Sequence, residues 1–233
     1  MNAAVACARP ERYGLVMAGV PPHLVETWVS GWARARGTPP PERHRDGFRV
    51  EVGAPDQRTR YVFPTVSATL TRLAEDIRLP AIHLKVCAPP ETVRVLIPRR
   101  WRLDAPRTFM RRETIAPAPA TLPDGYRLER DTVDDIDNAR ILAPDGSIAA
   151  AGHVVVIDHS AIYDRVITQE EHRRLGLGRA LMAALDLAAA ERGAQRGLLV
   201  ATEPGRALYE ALGWKPLAPY TSMMIPPPRT QSR

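Results

Sequence analysis

One short stretch of the chain combines residue types that bind a phosphate anion. Residues 172–185 read HRRLGLGRALMAAL and place Arg173, Arg174, Gly176 and Gly178 between a predicted strand and a predicted helix. The first backbone N–H groups of a helix have no partner within it, and the positive end of the helix dipole lies behind them. Glycines let a bulky anion approach these groups because no Cβ stands in the way. The sequence therefore predicts an anion site that suits a pyrophosphate.

The spacing of this motif is Arg-x-x-Gly-x-Gly. It differs from the Gly-x-Gly-x-x-Gly loop of dinucleotide-binding folds and from the P-loop, which ends in Gly-Lys followed by Ser or Thr. The motif resembles the acetyl-CoA-binding motif of the GCN5-related N-acetyltransferase (GNAT) family, which carries Arg or Gln, two residues, Gly, one residue, and then Gly or Ala. An ordinary helix start after a glycine turn is the alternative interpretation.

A second motif follows at the spacing that the family shows. A strand is predicted over residues 197–202 and a helix over residues 204–212, and the helix closes with Leu208, Tyr209, Gly213 and Trp214. Strand, anion turn, helix, strand, and a helix ending in Leu-Tyr-x-x-x-Gly-aromatic form the second half of the GNAT pattern. The resemblance covers residues 125–224 well and the preceding half only loosely.

The resemblance implies a binding site for acetyl-CoA as cosubstrate, without a metal ion. In the family, the strand before the glycine turn diverges from its neighbour and exposes backbone groups to the pantetheine, while the turn holds the pyrophosphate. Thr202 stands where many members carry Asn. The alternative interpretation of the arginines is that they belong to a solvated loop on an arginine-rich surface. The residues that the resemblance assigns to acetyl-CoA are Val166, Ile167, Thr168, Arg173, Arg174, Leu175, Gly176, Leu177, Gly178, Arg179 and Thr202.

Acetyl transfer from a thioester to an amine needs a proton for the departing thiolate and a base for the amine. Tyr209 matches the family tyrosine whose hydroxyl lies near the CoA sulfur, although a tyrosine on an amphipathic helix also serves as core packing. Asp164 is the first candidate base. It precedes Val166 and Thr168 by two and four residues, so the strand period places all three on one face unless a bulge intervenes.

The alternative for Asp164 is an ion pair with an arginine. His153, in the preceding predicted strand, and Glu203, after the following one, are further candidates for the base. A histidine within an apolar strand is also typical of a buried, hydrogen-bonded side chain.

Apolar periodicity predicts the elements that surround these motifs. Asp158 and His159 separate two strands as a hairpin would, and Gly193 ends the helix that follows the glycine turn. A helix with Leu24, Trp28 and Trp32 on one face opens the first half. The predicted strands are 13–18, 48–52, 60–63, 81–86, 108–111, 126–129, 139–142, 147–157, 161–168 and 197–202. The predicted helices are 22–36, 66–77, 91–97, 177–192 and 204–212, with a helical turn near residues 133–136.

The first half repeats the second weakly at an offset of 114 residues. Identical residues at this offset are Leu84, Val86, Pro90, Leu103 and Met110, which fall on Leu198, Val200, Pro204, Leu217 and Met224. The repeat predicts two tandem GNAT-like units. The first is degenerate because it lacks the glycine motif and has Pro64 where the turn should begin. We expect this first unit to line the acceptor site with its helix 22–36 and not to bind CoA.

The predicted fold class is therefore α/β (α+β), with a mixed, mostly antiparallel GNAT sheet flanked by helices. The predicted organisation is a degenerate GNAT-like domain over residues 1–114, a linker over residues 115–124, a catalytic GNAT domain over residues 125–225 and a disordered tail over residues 226–233. Alternating Ala and Pro in the linker favour an extended connector.

Composition narrows the function classes. The chain has 233 residues, 45% of them hydrophobic, and a net charge of +6 that is spread along the sequence, so a nucleic-acid partner is not expected. Cys7 and Cys87 have neither a disulfide framework nor metal-ligand spacing. We find no apolar run of the roughly 20 residues that span a bilayer and no secretory leader, so neither a membrane partner nor export is expected and the predicted location is cytoplasmic.

The predicted function is N-acetyl transfer from acetyl-CoA to an amine, with a small-molecule amine as partner, by direct attack in a ternary complex. Two alternatives stay open: an acyl-CoA sensor without turnover, and an acyltransferase whose donor is an acyl-carrier protein or an aminoacyl-tRNA.

Overall fold

The computed structural model describes residues 19–227, which form a 12-stranded mixed sheet flanked by helices. The helices are α1 (Pro22–Ala35), α2 (Ala68–Asp76), α3 (Pro90–Arg94), α4 (Leu177–Glu191) and α5 (Glu203–Ala211), with a 3-10 helix at Glu170–His172. The strands are β1 (Glu42–His44), β2 (Gly47–Glu51), β3 (Thr59–Phe63), β4 (Ile82–Val86), β5 (Arg102–Leu103), β6 (Arg107–Arg112), β7 (Arg127–Val133), β8 (Ile136–Leu142), β9 (Ile148–Ile157), β10 (Ser160–Thr168), β11 (Arg196–Thr202) and β12 (Lys215–Met224). No helix within residues 19–227 is long and apolar enough to cross a bilayer.

The sheet has the order β1-β2-β3-β4-β12-β6-β11-β10-β9-β8-β7, and β5 pairs with β12 outside this path. In the described part of the chain, only β3–β4 and β10–β11 pair in parallel. Each of these pairs is joined by a helix, as parallel strands require. The predicted mixed, mostly antiparallel sheet flanked by helices is confirmed.

The two halves of the sequence share strands at the centre of the sheet. β6, from the first half, lies between β11 and β12 and pairs antiparallel with both. β12 pairs with β6 along residues 215–220 and with β4 along residues 221–224. The halves are therefore interlocked through backbone hydrogen bonds. The predicted domain boundaries remain a prediction about sequence units, since the sheet itself runs across them.

The helices divide unequally between the two faces of the sheet. Phe109 and Met110 are neighbours in β6 and point to opposite faces: Phe109 packs edge-on against Trp28 of α1, and Met110 lies in the core beneath α4. The cores beneath α2, α3, α4 and α5 all lie on the side of Met110. We call the two sides the α1 face and the α4 face.

Helix α1 belongs to the first half but packs on strands of the second. Its residues Leu24, Trp28 and Trp32 are each 4% exposed and join a core that includes Ile162 of β10. Gly31 lies so close to this strand that a Cβ there would be 2.6 Å from Ile162 Cγ1. A glycine at this position lets α1 approach β10 directly. As predicted, the first half supplies a helix that the second half lacks.

One predicted element is wrong. The helical turn expected near residues 133–136 is instead the tight turn of a β7–β8 hairpin, with Asp134 and Asp135 at φ values of 49° and 63°. Two consecutive positive φ values are the signature of a type I′ turn, which matches the twist of the flanking strands. Aspartate tolerates this conformation better than most side chains.

The repeat at offset 114 reproduces the order of elements but not their side-chain environments. Leu84 in β4 packs on the α4 face, whereas Leu198 in β11 packs on the α1 face. A strand that is read one residue out of register changes face, so these identities do not mark equivalent core positions. The predicted strand over residues 13–18 and the predicted tail from residue 228 onward lie outside the described residues.

Candidate functional site

The N-terminus of α4 presents a row of free backbone donors. Gly176 precedes the helix with a φ of 78°, and Arg174 also has a positive φ of 65°. Among residues 19–227, no group accepts a hydrogen bond from the amides of residues 174–178. Residues 173–176 are exposed, Gly178 is half-buried and Leu177 is buried, so the amides at the start of this row lie at the protein surface. This is the geometry of a helix-terminal anion site.

The two glycines of the motif act in different ways. Gly176 needs its positive φ, and a Cβ there would meet no atom within 4 Å. At Gly178, by contrast, a Cβ would lie 2.9 Å from Leu208 Cδ2 of α5. Gly178 therefore lets α5 pack closely on α4. The surroundings of Gly176 are open, as a ligand would require, whereas those of Gly178 are occupied by a neighbouring helix.

Strand β10 diverges from β11 just before the glycine turn. The two strands pair at three positions only, ending at Ile162 and Leu198. Beyond that point β10 pairs only with β9, and β11 only with β6. Backbone groups of residues 164–168, among them Val166, Ile167 and Thr168, thus border a gap in the sheet. The divergence that the resemblance implied is present.

The first half has no such gap. Its parallel pair β3–β4 is continuous from Thr59 and Ile82 to Phe63 and Val86, and the amide of Cys87 extends it by donating to the carbonyl of Phe63 at 3.0 Å. The backbone groups that would receive a pantetheine are already paired there. The absence of the glycine motif in this half thus coincides with the absence of the gap.

A bulge in β10 separates the side chains that the sequence placed together. Asp164 is opposite His153, but Ile167 is already opposite Ala151, and Arg165 between them has a φ of 51°. An extra residue reverses the facing of every later side chain. Val166 consequently packs in the core on the α4 face, whereas Asp164 lies on the α1 face. The sequence placed Asp164 on one face with Val166 and Thr168 unless a bulge intervened, and this bulge puts Asp164 on the other face.

Asp164 forms an ion pair with Arg36, at the end of α1. Arg36 Nε donates to Asp164 Oδ2 at 2.5 Å, and Nη2 donates to Oδ1 at 3.0 Å. His153 Nε2 lies 3.5 Å from Oδ2, which is long for a hydrogen bond. Burial alone raises the pKa of the Asp164 carboxyl, but His153 and Arg36 together outweigh burial and hold that pKa below its usual range. The alternative of an ion pair, left open by the sequence, is the one observed.

Tyr209 is buried in α5, at 8% exposure, with its ring packed edge-on against Trp214 at 6.0 Å. Burial, and secondly the negative charge of Asp164, raise the pKa of Tyr209 to about 12. Its hydroxyl is therefore protonated at neutral pH and able to donate.

The remaining predicted residues lie around these groups. Thr202 caps α5, since its Oγ1 accepts from the amide of Gly205 at 3.3 Å, and Glu203 follows in the exposed first turn. A negative charge in the first turn stabilises a helix by its interaction with the helix dipole, so Glu203 has a structural role. Arg173, Arg174 and Arg179 are exposed and pair with no carboxylate in the described part of the chain. They flank the free amides with positive charge.

Comparison with known families gives the site its context. Residues 137–216 match the model of a family described as the acetyltransferase (GNAT) domain. Residues 137–216 therefore match a GNAT acetyltransferase domain. The matched segment contains the divergent strand, the glycine turn and Tyr209.

Solved structures share this GNAT fold over both halves. A GCN5-related N-acetyltransferase from Kribbella flavida aligns with a TM-score of 0.63 at 15% identity, covering 90% of this chain and 97% of its own. A putative GNAT acetyltransferase from Novosphingobium aromaticivorans aligns with a TM-score of 0.52 at 18% identity, covering 85% of this chain and 95% of its own. A GCN5-related N-acetyltransferase from Sphaerobacter thermophilus aligns with a TM-score of 0.53 at 12% identity, covering 78% of this chain and 78% of its own. No curated protein matches the sequence.

The GNAT fold generally binds acetyl-CoA and supports an acyl-CoA N-acetyltransferase in general terms. The residues of this chain fit such a ligand, because free amides, three arginines without a carboxylate partner in residues 19–227, and a gap in the sheet occur next to one another. In residues 19–227, no group of three or more His, Cys, Asp or Glu side chains is arranged to hold a metal ion.

The sequence predicted that helix 22–36 of the first half lines this site, but not which of its side chains contacts the strand before the glycine turn. It assigned no role to Arg36, which lies 128 positions from its partner Asp164. Arg36 follows the apolar stripe of α1 by one turn, so its place at the end of that helix was readable. Its partner was not, because the pairing depends on how α1 crosses the sheet.

Proposed function

We propose that the protein transfers an acetyl group from acetyl-CoA to the amine of a small molecule, by direct attack in a ternary complex. The observation that carries this proposal is the position of the gap between β10 and β11, which opens at Ile162 and ends at the free amides of residues 174–178. An extended ligand with a pyrophosphate in its middle suits this combination of a backbone-lined gap and an anion site.

Acetyl-CoA would be held mainly by backbone groups. The amides of Arg174, Leu175, Gly176, Leu177 and Gly178 would bind the pyrophosphate, with Arg173 and Arg179 adding charge. Backbone groups of Val166, Ile167 and Thr168 would pair with the pantetheine amides, and Thr202 lies at the start of the helix that carries Tyr209. Bound acetyl-CoA supplies an acetyl group activated as a thioester.

The chain's own residues would supply the proton transfers. Tyr209 holds a proton on its hydroxyl that it can donate to a departing thiolate, because its pKa is raised to about 12. Asp164 has a lowered pKa and both of its oxygens face Arg36, so it is a weak proton acceptor. We therefore assign Asp164 to positioning, and assign acceptance of the amine proton to His153, the further candidate named from the sequence.

Two observations support a small-molecule acceptor. Helix α1 covers β9 and β10 on the face that carries His153, so the first half encloses that side of the gap. His153 also lines a cavity of about 530 Å³ beside Arg165 and Gln169. This volume lies in the range of small-ligand sites.

The test is a screen of amines for consumption of acetyl-CoA, with detection of the free thiol of CoA. The proposal predicts release of CoA that depends on the amine, and loss of that release in His153→Gln. Tight binding of CoA without turnover for any amine would instead favour a sensor. Turnover only with an acyl-carrier protein or an aminoacyl-tRNA, and no affinity for free CoA, would favour the other alternative.

A further inference from the structure

A group of polar side chains lies on the α1 face where the two halves meet. Pairing across the strands places Ser222 of β12 opposite Lys85 of β4, and Tyr220 of β12 opposite Arg107 of β6. Arg60 of β3 is on the same face, two residues before Val62, which packs in the core beneath α1. We call Arg60, Lys85, Arg107, Tyr220 and Ser222 the seam cluster.

Two members of the seam cluster have buried polar atoms without partners. The guanidinium of Arg60 stacks 3.6 Å from the ring centroid of Trp32, and its Nη2 donates to Gln57 Oε1 at 3.1 Å. Arg60 Nε and the hydroxyl of Tyr220, a residue 3% exposed, have no hydrogen-bond partner in residues 19–227. Almost all buried donors in native folds have a hydrogen-bond partner, so these two groups call for one.

The seam cluster also has an excess of positive charge. Lys85 is 6% exposed, donates to Ser222 Oγ and lies 3.9 Å from Asp104, its nearest carboxylate. Burial, followed by repulsion from Arg60, lowers the pKa of Lys85 to about 7. Arg36, Arg60 and Arg107 are the arginines of the region, and Lys85, with a pKa of about 7, adds only part of a positive charge, whereas the carboxylates near them are Asp104 and Asp164. Unbalanced charge of this kind favours an anionic ligand.

The seam cluster adjoins the proposed reaction site. Arg36, which binds Asp164, lies 5.3 Å from the same Trp32 ring on which Arg60 stacks. Asp164 is thus linked to Arg60 through Arg36 and the Trp32 ring. An acceptor with its amine at the gap would have to extend along the α1 face past Arg36 to contact Arg60.

We propose that the seam cluster binds a carboxylate of the acceptor, so that the substrate is an amine that carries a carboxylate group. The planar fork of Arg60 matches the two oxygens of a carboxylate, and the Tyr220 hydroxyl is a further donor. This inference rests on the proposed function, because it names the chemical class of the acceptor.

Matched acceptor pairs test the substrate class. Each amino acid is compared with its carboxamide, and phosphoethanolamine with ethanolamine, in the CoA-release assay. We expect the carboxylate member to have a kcat/KM about 10- to 100-fold above that of its amide, which is the range for a charge-assisted hydrogen bond. Equal kcat/KM for acids and amides would overturn the proposal, as would a preference for the phosphate alone.

Variants separate ligand binding from a structural role. Tyr220→Phe removes a hydroxyl that has no partner in the described fold, so we expect an unchanged or higher Tm together with a KM about tenfold higher for the carboxylate acceptor. The KM for acetyl-CoA should not change. Arg60→Met should also raise the KM for the carboxylate acceptor. Arg43→Met is the control, because it removes an exposed arginine that lies 5.7 Å from the ring of Phe48, and it should leave this KM unchanged. Unchanged KM for the carboxylate acceptor in both Tyr220→Phe and Arg60→Met would contradict the proposal.

A binding measurement distinguishes this proposal from the enzymatic one. N-acetyl amino acids and their amides are titrated into the full chain in the presence of CoA, where no turnover is needed. If the acids bind, their binding weakens in Arg60→Met, and no amine gives CoA release, the result would support the seam cluster and contradict the transferase proposal. If CoA is released but the acids do not bind better than their amides, the result would support the transferase proposal and contradict carboxylate binding by the seam cluster.

Discussion

Arg36 and Asp164 form a two-hydrogen-bond ion pair that ties the end of α1 to the bulge of β10. The two residues are 128 positions apart, and the pair joins the first half of the chain to the strand that borders the gap. Because α1 lies across the face opposite α4, this contact fixes one wall of the proposed acceptor site. The position of Asp164 thus depends on both halves.

Replacement of Asp164 by Asn should destabilise the fold by about 2 kcal/mol at pH 7, since it removes the negative charge from a carboxylate that is only 14% exposed and accepts two hydrogen bonds from Arg36. The folded pKa of Asp164 is lowered from its usual value of about 3.9. Its stabilising contribution is therefore present above about pH 4 and is lost as the pH falls through the lower folded value.

Urea unfolding at pH 7 and at pH 3 measures this contribution. The difference between the wild type and Asp164→Asn should shrink at the lower pH. Asp131→Asn is the control, because Asp131 pairs with Arg140 on the surface and such pairs contribute under about 1 kcal/mol. A difference that grows as the pH falls would be inconsistent with a lowered pKa.

Replacement of Tyr209 by Phe should lower kcat about 100-fold, because the proton for the departing thiolate is lost, while CoA affinity stays unchanged. Since burial and Asp164 raise the pKa of Tyr209 to about 12, its ionisation should not reduce the wild-type kcat below about pH 11. Steady-state kinetics from pH 6 to pH 10 provides the measurement, with Tyr61→Phe in the first half as the control. A variant that keeps full kcat would remove Tyr209 from the mechanism.

The contact between Gly178 and Leu208 predicts that Gly178→Ala changes the free energy of unfolding in opposite directions with and without the Leu208 side chain. Gly178→Ala gains up to about 1 kcal/mol of helix propensity, but its Cβ would press against Leu208, which costs about 1–3 kcal/mol. We expect Gly178→Ala to destabilise the wild type and to stabilise the Leu208→Ala background. Chemical denaturation of the four proteins measures the coupling, and additive effects would show that the two helices are not in tight contact.

Much of the second half could be predicted from the sequence because its signals are local. The helix predicted over residues 177–192 is observed as Leu177–Glu191, with Gly176 and Gly193 in positive φ at its two ends. Glycine at such positions is required by backbone sterics, so it marks an element boundary in any context. The glycine turn of the site was readable for the same reason.

Features that depend on distant contacts could not be predicted. Arg165 adopts a positive φ without being glycine or asparagine, so the bulge that turns Asp164 to the α1 face has no local signal. The insertion of β6 between β11 and β12 is likewise a pairing between distant segments. The seam cluster follows from that insertion, since Arg107 and Tyr220 become neighbours only through it.

The central claim is that free amides at the start of α4 bind the pyrophosphate of CoA, and calorimetric titration with CoA tests it most directly. Gly176→Glu places a side chain and a negative charge at these amides, whereas Gly193→Glu makes the same change at the other end of α4, with a similar φ of 77° and equally open surroundings. Each should cost about 1 kcal/mol of stability through its backbone conformation. The account predicts that wild type and Gly193→Glu bind CoA alike and that Gly176→Glu does not bind it. Wild-type affinity in a folded Gly176→Glu protein would contradict it.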